Sequence, residues 1–490
     1  MPQNTLKEKT INGVGWSFTE SLLGQGITFL VGIVLARILS PDEYGLIGII
    51  TIFITVFNSI VDSGFSNALI RKTDCTDDDY NTMFLTNLAI SIVLFFLLFL
   101  SAPFIAVFFD RTELVALTRV MAIVIIINAL SITQNTILQK RIDFKTKTKA
   151  SFTSAVFSGT IGISMALLGF GVWSLVGQQI AYQAMNVICL WSFNRWRPQI
   201  TFSKTSFRYM WSFGWKLLVS NLIDKVWGEL YQVVVGKCYS PMTLGQYSRS
   251  KEYARLPSAH ISGIVQKVTF PVLSELQGDR DRLLLAYKRI IRLTMFITAI
   301  SMISLGAVSE PLIYCLIGPQ WHQASSFLPL FCISMSLYPL HAINLNMLKV
   351  QGRSDIYLKL EIVKKIISTG PLIIGVFIGI YWMLIGSIIT GVIAFILNSY
   401  YSGRLLGYSS MDQLKDIFPS YCYALCIGVP VYCIKFLPLG FFSILAIQII
   451  LGMVIFFSIG HWGKVNEYNE LMSILSNYIS RIKKRVHGGL

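Results

Sequence analysis

The chain has 490 residues, 54% of them apolar and only 13% charged, and Lys plus Arg exceed Asp plus Glu by 16. Too little polar residue is present to cover a solvated single-core globule, and disorder is excluded because it needs low hydrophobicity. In a soluble chain the basic excess would point to nucleic acid; in one this apolar it reads as the positive-inside rule, with no nucleic-acid partner.

Apolar runs predict membrane-spanning helices near residues 14–37, 44–70, 83–107, 114–137, 150–170 and 172–193, then 208–236, 243–273, 290–316, 324–348, 358–380 and 382–403. Two more runs lie near 418–437 and 441–461. Fourteen spans of about 22 residues use roughly 310 residues, which leaves no room for a soluble domain. The expected fold is therefore an all-α integral membrane protein with about 14 transmembrane helices. With the N-terminus placed in the cytoplasm, 28 of the 41 basic residues fall on inner segments, and only Arg37, Arg111, Lys237 and Lys435 on outer ones. The opposite orientation inverts this ratio, so both termini are expected in the cytoplasm. The first run contains Glu20 and is too long for a cleavable leader, so it reads as a retained first span.

An internal repeat organises the spans. Ser40-Pro41-Asp42-Glu43-Tyr44-Gly45 follows the first span and Ser240-Pro241-Met242-Thr243-Leu244-Gly245 follows the seventh, a shared S-P-x-x-x-G spaced by 200 residues. Gly15-Trp16 is echoed by Gly214-Trp215. Ser caps the following helix, and Pro suits its first position, where no amide hydrogen is needed. Six spans per repeat give two lobes of the same orientation, related by a pseudo-two-fold along the membrane normal. The expected division is residues 1–207 for the first lobe, 208–405 for the second, 406–462 for two additional helices and 463–490 for a basic tail. That tail reads either as an interfacial helix, with Leu471, Leu475, Tyr478, Ile479 and Ile482 on one face, or as a solvated basic end.

Charges inside spans are the candidate functional residues, because an intramembrane ion is costly and usually marks a pathway. Span seven carries Lys216, Asp224, Lys225 and Glu229; Lys225 and Glu229 are four apart, and Asn221 shares their face. Span eight carries Arg249, Lys251, Glu252 and Arg255 as one polar stripe. Arg255 falls roughly 15 Å into its span, near the midplane. Arg offers a forked donor suited to phosphate oxygens, so this net-positive set implies an anionic substrate, with pyrophosphate the natural choice. Glu20 and Asp62 sit in spans one and two as coupling carboxylates, or else only bond a neighbouring helix. An ion-paired helix contact that only fixes packing is the competing account of spans seven and eight.

Other chemistries lack their residues. The eight Cys and five His show no CxxC, HExxH or paired spacing, so neither a metal site nor a disulfide framework is expected. No G-x-x-x-x-G-K-[ST] occurs, so coupling to ATP through a P-loop is not expected. The outer loops, such as Gly169–Val172 and Gly379–Trp382, are short turns, which counts against a membrane polymerase or ligase. No catalytic residues, and no cofactor beyond H+ or Na+ as a coupling ion, are expected.

Leu35-Ala-Arg-Ile-Leu-Ser-Pro-Asp-Glu-Tyr-Gly45, Asp62-Ser-Gly-Phe65 and Ala68-Leu-Ile70 resemble the opening signature of bacterial polysaccharide flippases of the multidrug/oligosaccharidyl-lipid/polysaccharide export superfamily. Gln139-Lys-Arg-Ile-Asp-Phe144, Gly171-Val-Trp-Ser-Leu-Val176, Leu244-Gly-Gln-Tyr247, Val268-Thr-Phe-Pro-Val-Leu-Ser274 and Gly318-Pro-Gln-Trp321 extend the match over most of the chain, in the manner of the colanic-acid and O-antigen type. The resemblance implies translocation of undecaprenyl-pyrophosphate-linked oligosaccharide across the bacterial cytoplasmic membrane, by alternating access driven by an ion gradient. Partners implied are the lipid-linked oligosaccharide, membrane lipids, a polysaccharide polymerase and a chain-length regulator. The family carries no fixed catalytic motif, so the site residues rest on the charge argument. A multidrug antiporter of the same superfamily, a polymerase or ligase, and a non-transporting scaffold are the alternatives.

Overall fold

A computed structural model describes residues 24, 26–463 and 465–487; among them there is helix and turn but no strand. Every predicted apolar run carries helix in its described part. Among the described residues, nine segments are long and apolar enough to cross a membrane. The helices over spans six, seven, eight and eleven are not among these, because polar or charged side chains interrupt them, and the described part of the first span, Gly26–Ile38, is too short. The chain forms two compact units, residues 1–245 and 246–490.

In the first unit, α1 (Gly26–Ile38) leads through Ser40 into α2 (Pro41–Asp62) and, after a break, α3 (Phe65–Arg71). Ser40 caps α2 as expected. Its backbone N–H donates to Glu43 Oε2 at 2.7 Å, and the Glu43 N–H reaches back to Ser40 Oγ at 3.4 Å. The break between α2 and α3 holds Ser63 at φ 50° and Gly64 at φ +70°, both left-handed. In α4 (Asp77–Phe109) the buried Asp79 caps the N-terminus and pairs with Lys72 at 2.6 Å. Two nearly continuous helices follow, α5 (Leu114–Met121) and α6 (Ile123–Lys140), then the hairpin of α7 (Phe144–Leu167) and α8 (Trp173–Phe193). The unit ends with α9 (Lys204–Cys238) and the first turn of α10 (Pro241–Glu275). Phe65, Leu69, Met83 and Met210 form a buried cluster that seats α9 on α3 and α4.

The second unit takes the rest of α10 and continues through α11 (Arg280–Ala307), α12 (Ser309–Leu316), α13 (His322–Ser336) and α14 (Tyr338–Val350). It closes with α15 (Ser354–Ile367), α16 (Thr369–Phe377), α17 (Ile380–Leu406), α18 (Ser410–Cys433), α19 (Phe441–Trp462) and α20 (Asn466–His487). Its core joins α11, α14, α17 and α18 through Tyr287, Ile291, Ile343, Met347, Phe395 and Ile417. Inside it Asn344 is the hub of a fully buried polar network. Its Oδ1 accepts from Tyr287 Oη at 2.7 Å, from Ser402 Oγ at 2.5 Å and from Gln413 Nε2 at 3.2 Å, and its Nδ2 donates to Gln413 Oε1 at 3.1 Å. Mutual satisfaction of this kind is what lets polar groups sit between membrane helices. The tail helix α20 is tied back by Tyr468, buried with Phe296 and Tyr423, and by a Glu470–Arg289 ion pair. The side chains of Leu475, Tyr478, Ile479 and Ile482 lie outside the described set.

Candidate functional site

The charged residues expected in span seven fall on α9. Lys216, Asn221, Asp224 and Lys225 are exposed, and Glu229 is half-buried. The pairing expected between Lys225 and Glu229 is not among the described ion pairs; Gln232, three residues along the same helix, donates to the Glu229 carboxylate instead. On α10, Arg249 pairs with Glu252 at 2.8 Å, with side chains 17% and 46% exposed. Lys251 is half-buried, and Arg255, two turns into the helix from Arg249, is exposed. Glu20 lies outside the described residues. Asp62 ends α2 and faces a different set of partners from the α9 and α10 charges.

Sequence motifs that carry no charge explain how α10 is held. Gln246, in Leu244-Gly-Gln-Tyr247, donates to the Gln320 carbonyl at 2.7 Å and accepts from the Ala324 N–H at 2.9 Å. Ser250 Oγ donates to the Ala324 carbonyl at 2.7 Å, and Ser258 Oγ to the Met335 carbonyl at 2.9 Å. Trp321, which closes Gly318-Pro-Gln-Trp321, is fully buried beside this seam. The helix that bears Arg249, Lys251 and Arg255 is thus fixed to α13 by bonds between its neutral polar side chains and the α13 backbone.

The first turn of α10 meets the first turn of α2. A Cβ on Gly45 would lie 1.7 Å from the Pro241 carbonyl oxygen, and a Cβ on Gly245 would lie 2.0 Å from the Pro41 carbonyl oxygen. The repeated S-P-x-x-x-G turns therefore pack on each other reciprocally, backbone to backbone, which only glycine permits. A second crossing joins the α2–α3 break to α9. A Cβ on Gly214 would lie 2.7 Å from the Ser63 carbonyl oxygen, and one on Gly64 2.7 Å from that of Gly214. The α9 charges Lys216, Asp224 and Lys225, with Asn221 among them, follow Gly214 along the helix and precede the crossing at Pro241.

A polar pocket of about 300 Å³ lies between α2–α3 and α6. Asn58, Asp62 and Ser66 line one wall, and Asn128, Ser131, Asn135 and Thr136 the other. Asn67 and Gln139 are the exposed members of the lining. Ser66 Oγ donates to Asp62 Oδ1 at 2.5 Å and receives the Thr136 hydroxyl at 2.9 Å, so one chain of bonds crosses the pocket wall. Sequence reasoning found Asp62 and missed the rest. Their signal is the spacing of Asn128, Ser131, Asn135 and Gln139, which follows the three- and four-residue rhythm of one helix face. Averaged hydropathy conceals it because the intervening residues are strongly apolar.

Bundled helices, several of them long and apolar enough to cross a membrane, define a multi-pass membrane protein. Residues 34–326 match the family described as "Polysaccharide biosynthesis protein", and the chain belongs to that family. The succinoglycan biosynthesis transport protein ExoT of Rhizobium meliloti is 26% identical over 372 residues, 76% of this chain and 75% of that protein. The teichuronic acid biosynthesis protein TuaB of Bacillus subtilis is 28% identical over 306 residues, 62% of this chain and 63% of that protein. Among solved structures, the lipid II flippase MurJ in an inward closed conformation superposes with a TM-score of 0.74 at 16% identity, covering 94% of this chain and all of that one. The two share a fold.

Proposed function

We propose that the protein is a flippase for undecaprenyl-pyrophosphate-linked oligosaccharide, moving it from the inner to the outer leaflet of the bacterial cytoplasmic membrane by alternating access. The observation that carries this reading is the set of basic side chains on α10, Arg249, Lys251 and Arg255, borne by a helix of a multi-pass membrane protein. Family membership and the transport names of its relatives point the same way. Charges held at membrane depth attract the one strongly anionic part of such a substrate, its pyrophosphate. Arg255, Arg249, Lys251, Lys216 and Lys225 hold that group, with Asn221 beside them. Asp224, Glu229, Glu252, Glu20 and Asp62 balance the cavity or couple it to H+ or Na+. No bond is made or broken, so the protein is not an enzyme.

In this reading fourteen helices cross the membrane with both termini in the cytoplasm, and the lobes divide near residue 207. The Gly45/Gly245 crossing then lies at the outer side and the Gly64/Gly214 crossing at the inner side. Rocking of the lobes separates one crossing while the other stays closed. A polymerase and a chain-length regulator receive the product outside.

The test is deletion of the gene in its host, with lipid-linked oligosaccharide then located by leaflet. The reading expects accumulation on the inner leaflet, reversed by the intact gene and not by Arg255→Ala. Unpolymerised repeat units reaching the outer face would replace the flippase reading with a polymerase.

A further inference from the structure

The polar pocket on α2, α3 and α6 has a chemistry unlike that of the basic helices. Its single ionic group is Asp62, and no Lys or Arg lines it. A pyrophosphate there would meet a carboxylate with no cation to offset it. The remaining polar lining is mostly amide and hydroxyl. A side-chain amide donates and accepts on one small group, as a sugar hydroxyl does, and an ionised carboxylate accepts from two hydroxyls at once. Ile70 and Ile132 add apolar surface for the C–H face of a ring.

Size narrows the occupant. At about 30 Å³ per water, the 300 Å³ pocket holds about ten waters. It stands at the small end of ligand pockets. That is wide for a desolvated monovalent ion and suits one sugar ring.

Two further observations mark the pocket as built for a ligand. Asn58 Oδ1 is buried and, among the described residues, has no hydrogen-bond partner. The chain also breaks helix at Ser63 and Gly64, directly after Asp62. Non-helical backbone at membrane depth persists where it lines a cavity.

We propose that this pocket binds one uncharged hexopyranose ring of the carried oligosaccharide. Asp62 accepts from two neighbouring ring hydroxyls, and Asn58, Asn128 and Asn135 bridge the others. The proposal rests on the flippase reading and deepens it: the neutral sugar is recognised on α2, α3 and α6, the anionic linkage on α9 and α10. Sugar selectivity then resides in residues that make no contact with the pyrophosphate.

The experiment uses the full chain in lipid nanodiscs, with saturation-transfer NMR and calorimetry. The probes are the methyl α-pyranosides of glucose, galactose and mannose, and inorganic pyrophosphate. Wild type is expected to bind at least one pyranoside in the millimolar range, in sodium-free buffer. Asn128→Leu and Asn135→Leu are each expected to weaken it at least tenfold with pyrophosphate binding and melting temperature unchanged. Asn135→Ser puts a hydroxyl in place of the amide and is expected to retain part of the affinity, which supplies a readout should Asn135→Leu fail to fold. Arg255→Ala is expected to do the converse, losing pyrophosphate and keeping the sugar. Three results would overturn the proposal: no pyranoside bound by wild type, binding that requires sodium, or pyranoside affinity untouched by the pocket variants. Loss of pyrophosphate binding in wild type would instead count against the flippase reading itself, so the two failures are distinguishable.

Discussion

Gly45 and Pro241, 196 positions apart in the sequence, meet backbone to backbone: a Cβ on Gly45 would fall 1.7 Å from the Pro241 carbonyl oxygen. Real Cβ contacts essentially never come under 3.0 Å. Gly45→Ala must therefore move the two turns apart by more than an ångström. Gly245→Ala must do the same against Pro41, where the approach is 2.0 Å. Either variant is expected to fold, reach the membrane and export at a small fraction of the wild-type rate, because under the proposed function this crossing is the outer one and no longer closes. Leu244 is fully buried at this crossing. A cysteine placed there in a background lacking other reactive thiols is expected to gain labelling by an impermeant maleimide from outside when Gly45 is Ala. Unchanged labelling together with unchanged export would remove the gate assignment.

The Gly64/Gly214 crossing, the inner one under the proposed function, gives the complementary prediction. Gly214→Ala presses a methyl toward the Ser63 carbonyl and the Phe65 ring, at 2.7 and 2.9 Å. Export is expected to fall, while labelling of the Leu244 cysteine from outside falls or stays low, since the outer crossing is relieved of nothing. Labelling that rises as it does in Gly45→Ala would show that the two crossings are not separate gates.

Cations on α10 are expected to matter unequally. Arg255 is exposed, and a charge-assisted hydrogen bond to an anion contributes about 1.5–3 kcal/mol. Arg255→Ala should therefore weaken pyrophosphate binding by about one to two orders of magnitude, with Arg255→Lys recovering part of it. Arg249 already pairs with Glu252 at 2.8 Å. Glu252→Gln removes a negative charge beside Arg249 and is expected to tighten pyrophosphate binding modestly. Isothermal titration of pyrophosphate into the purified protein checks both.

The Asn344 network is structural, and its removal should show in stability rather than in substrate affinity. Membrane-buried hydrogen bonds contribute about 0.6 kcal/mol each on average. Tyr287→Phe removes one donor to Asn344 and is expected to cost about that much. Asn344→Ala strands Tyr287, Ser402 and Gln413 together, and is expected to cost roughly three times as much. Denaturation in mixed micelles measures the order, and equal losses would mean the network does not act as a unit.

What the sequence made legible follows from what hydropathy and local chemistry measure. Each apolar run carries helix, because length and apolarity dictate it. The Ser40 cap formed as expected, and Ser240 receives the Thr243 N–H at 3.1 Å in the same way. The S-P-x-x-x-G repeat was visible as a pattern, but the contact between its two copies was not, because close approach of glycines is a tertiary fact. The charges of α9 and α10 stood out against their apolar surroundings, whereas their partners did not: Glu229 takes a bond from Gln232 rather than Lys225. The amide face of α6 and the helix break after Asp62 escaped because Asn, Gln and Ser lower a window average only slightly, and Ser-Gly in a span reads equally as packing.

Transfer by the purified protein tests the account most directly. The full chain is reconstituted in liposomes with a fluorescent undecaprenyl-pyrophosphate oligosaccharide, and the label accessible to an impermeant quencher is followed with time under a proton or sodium gradient. The account predicts transfer between leaflets that requires the protein, is lost in Arg255→Ala and falls to a small fraction in Gly45→Ala. Protein-containing liposomes whose leaflets exchange no faster than empty ones under either gradient, with the protein folded, would contradict it.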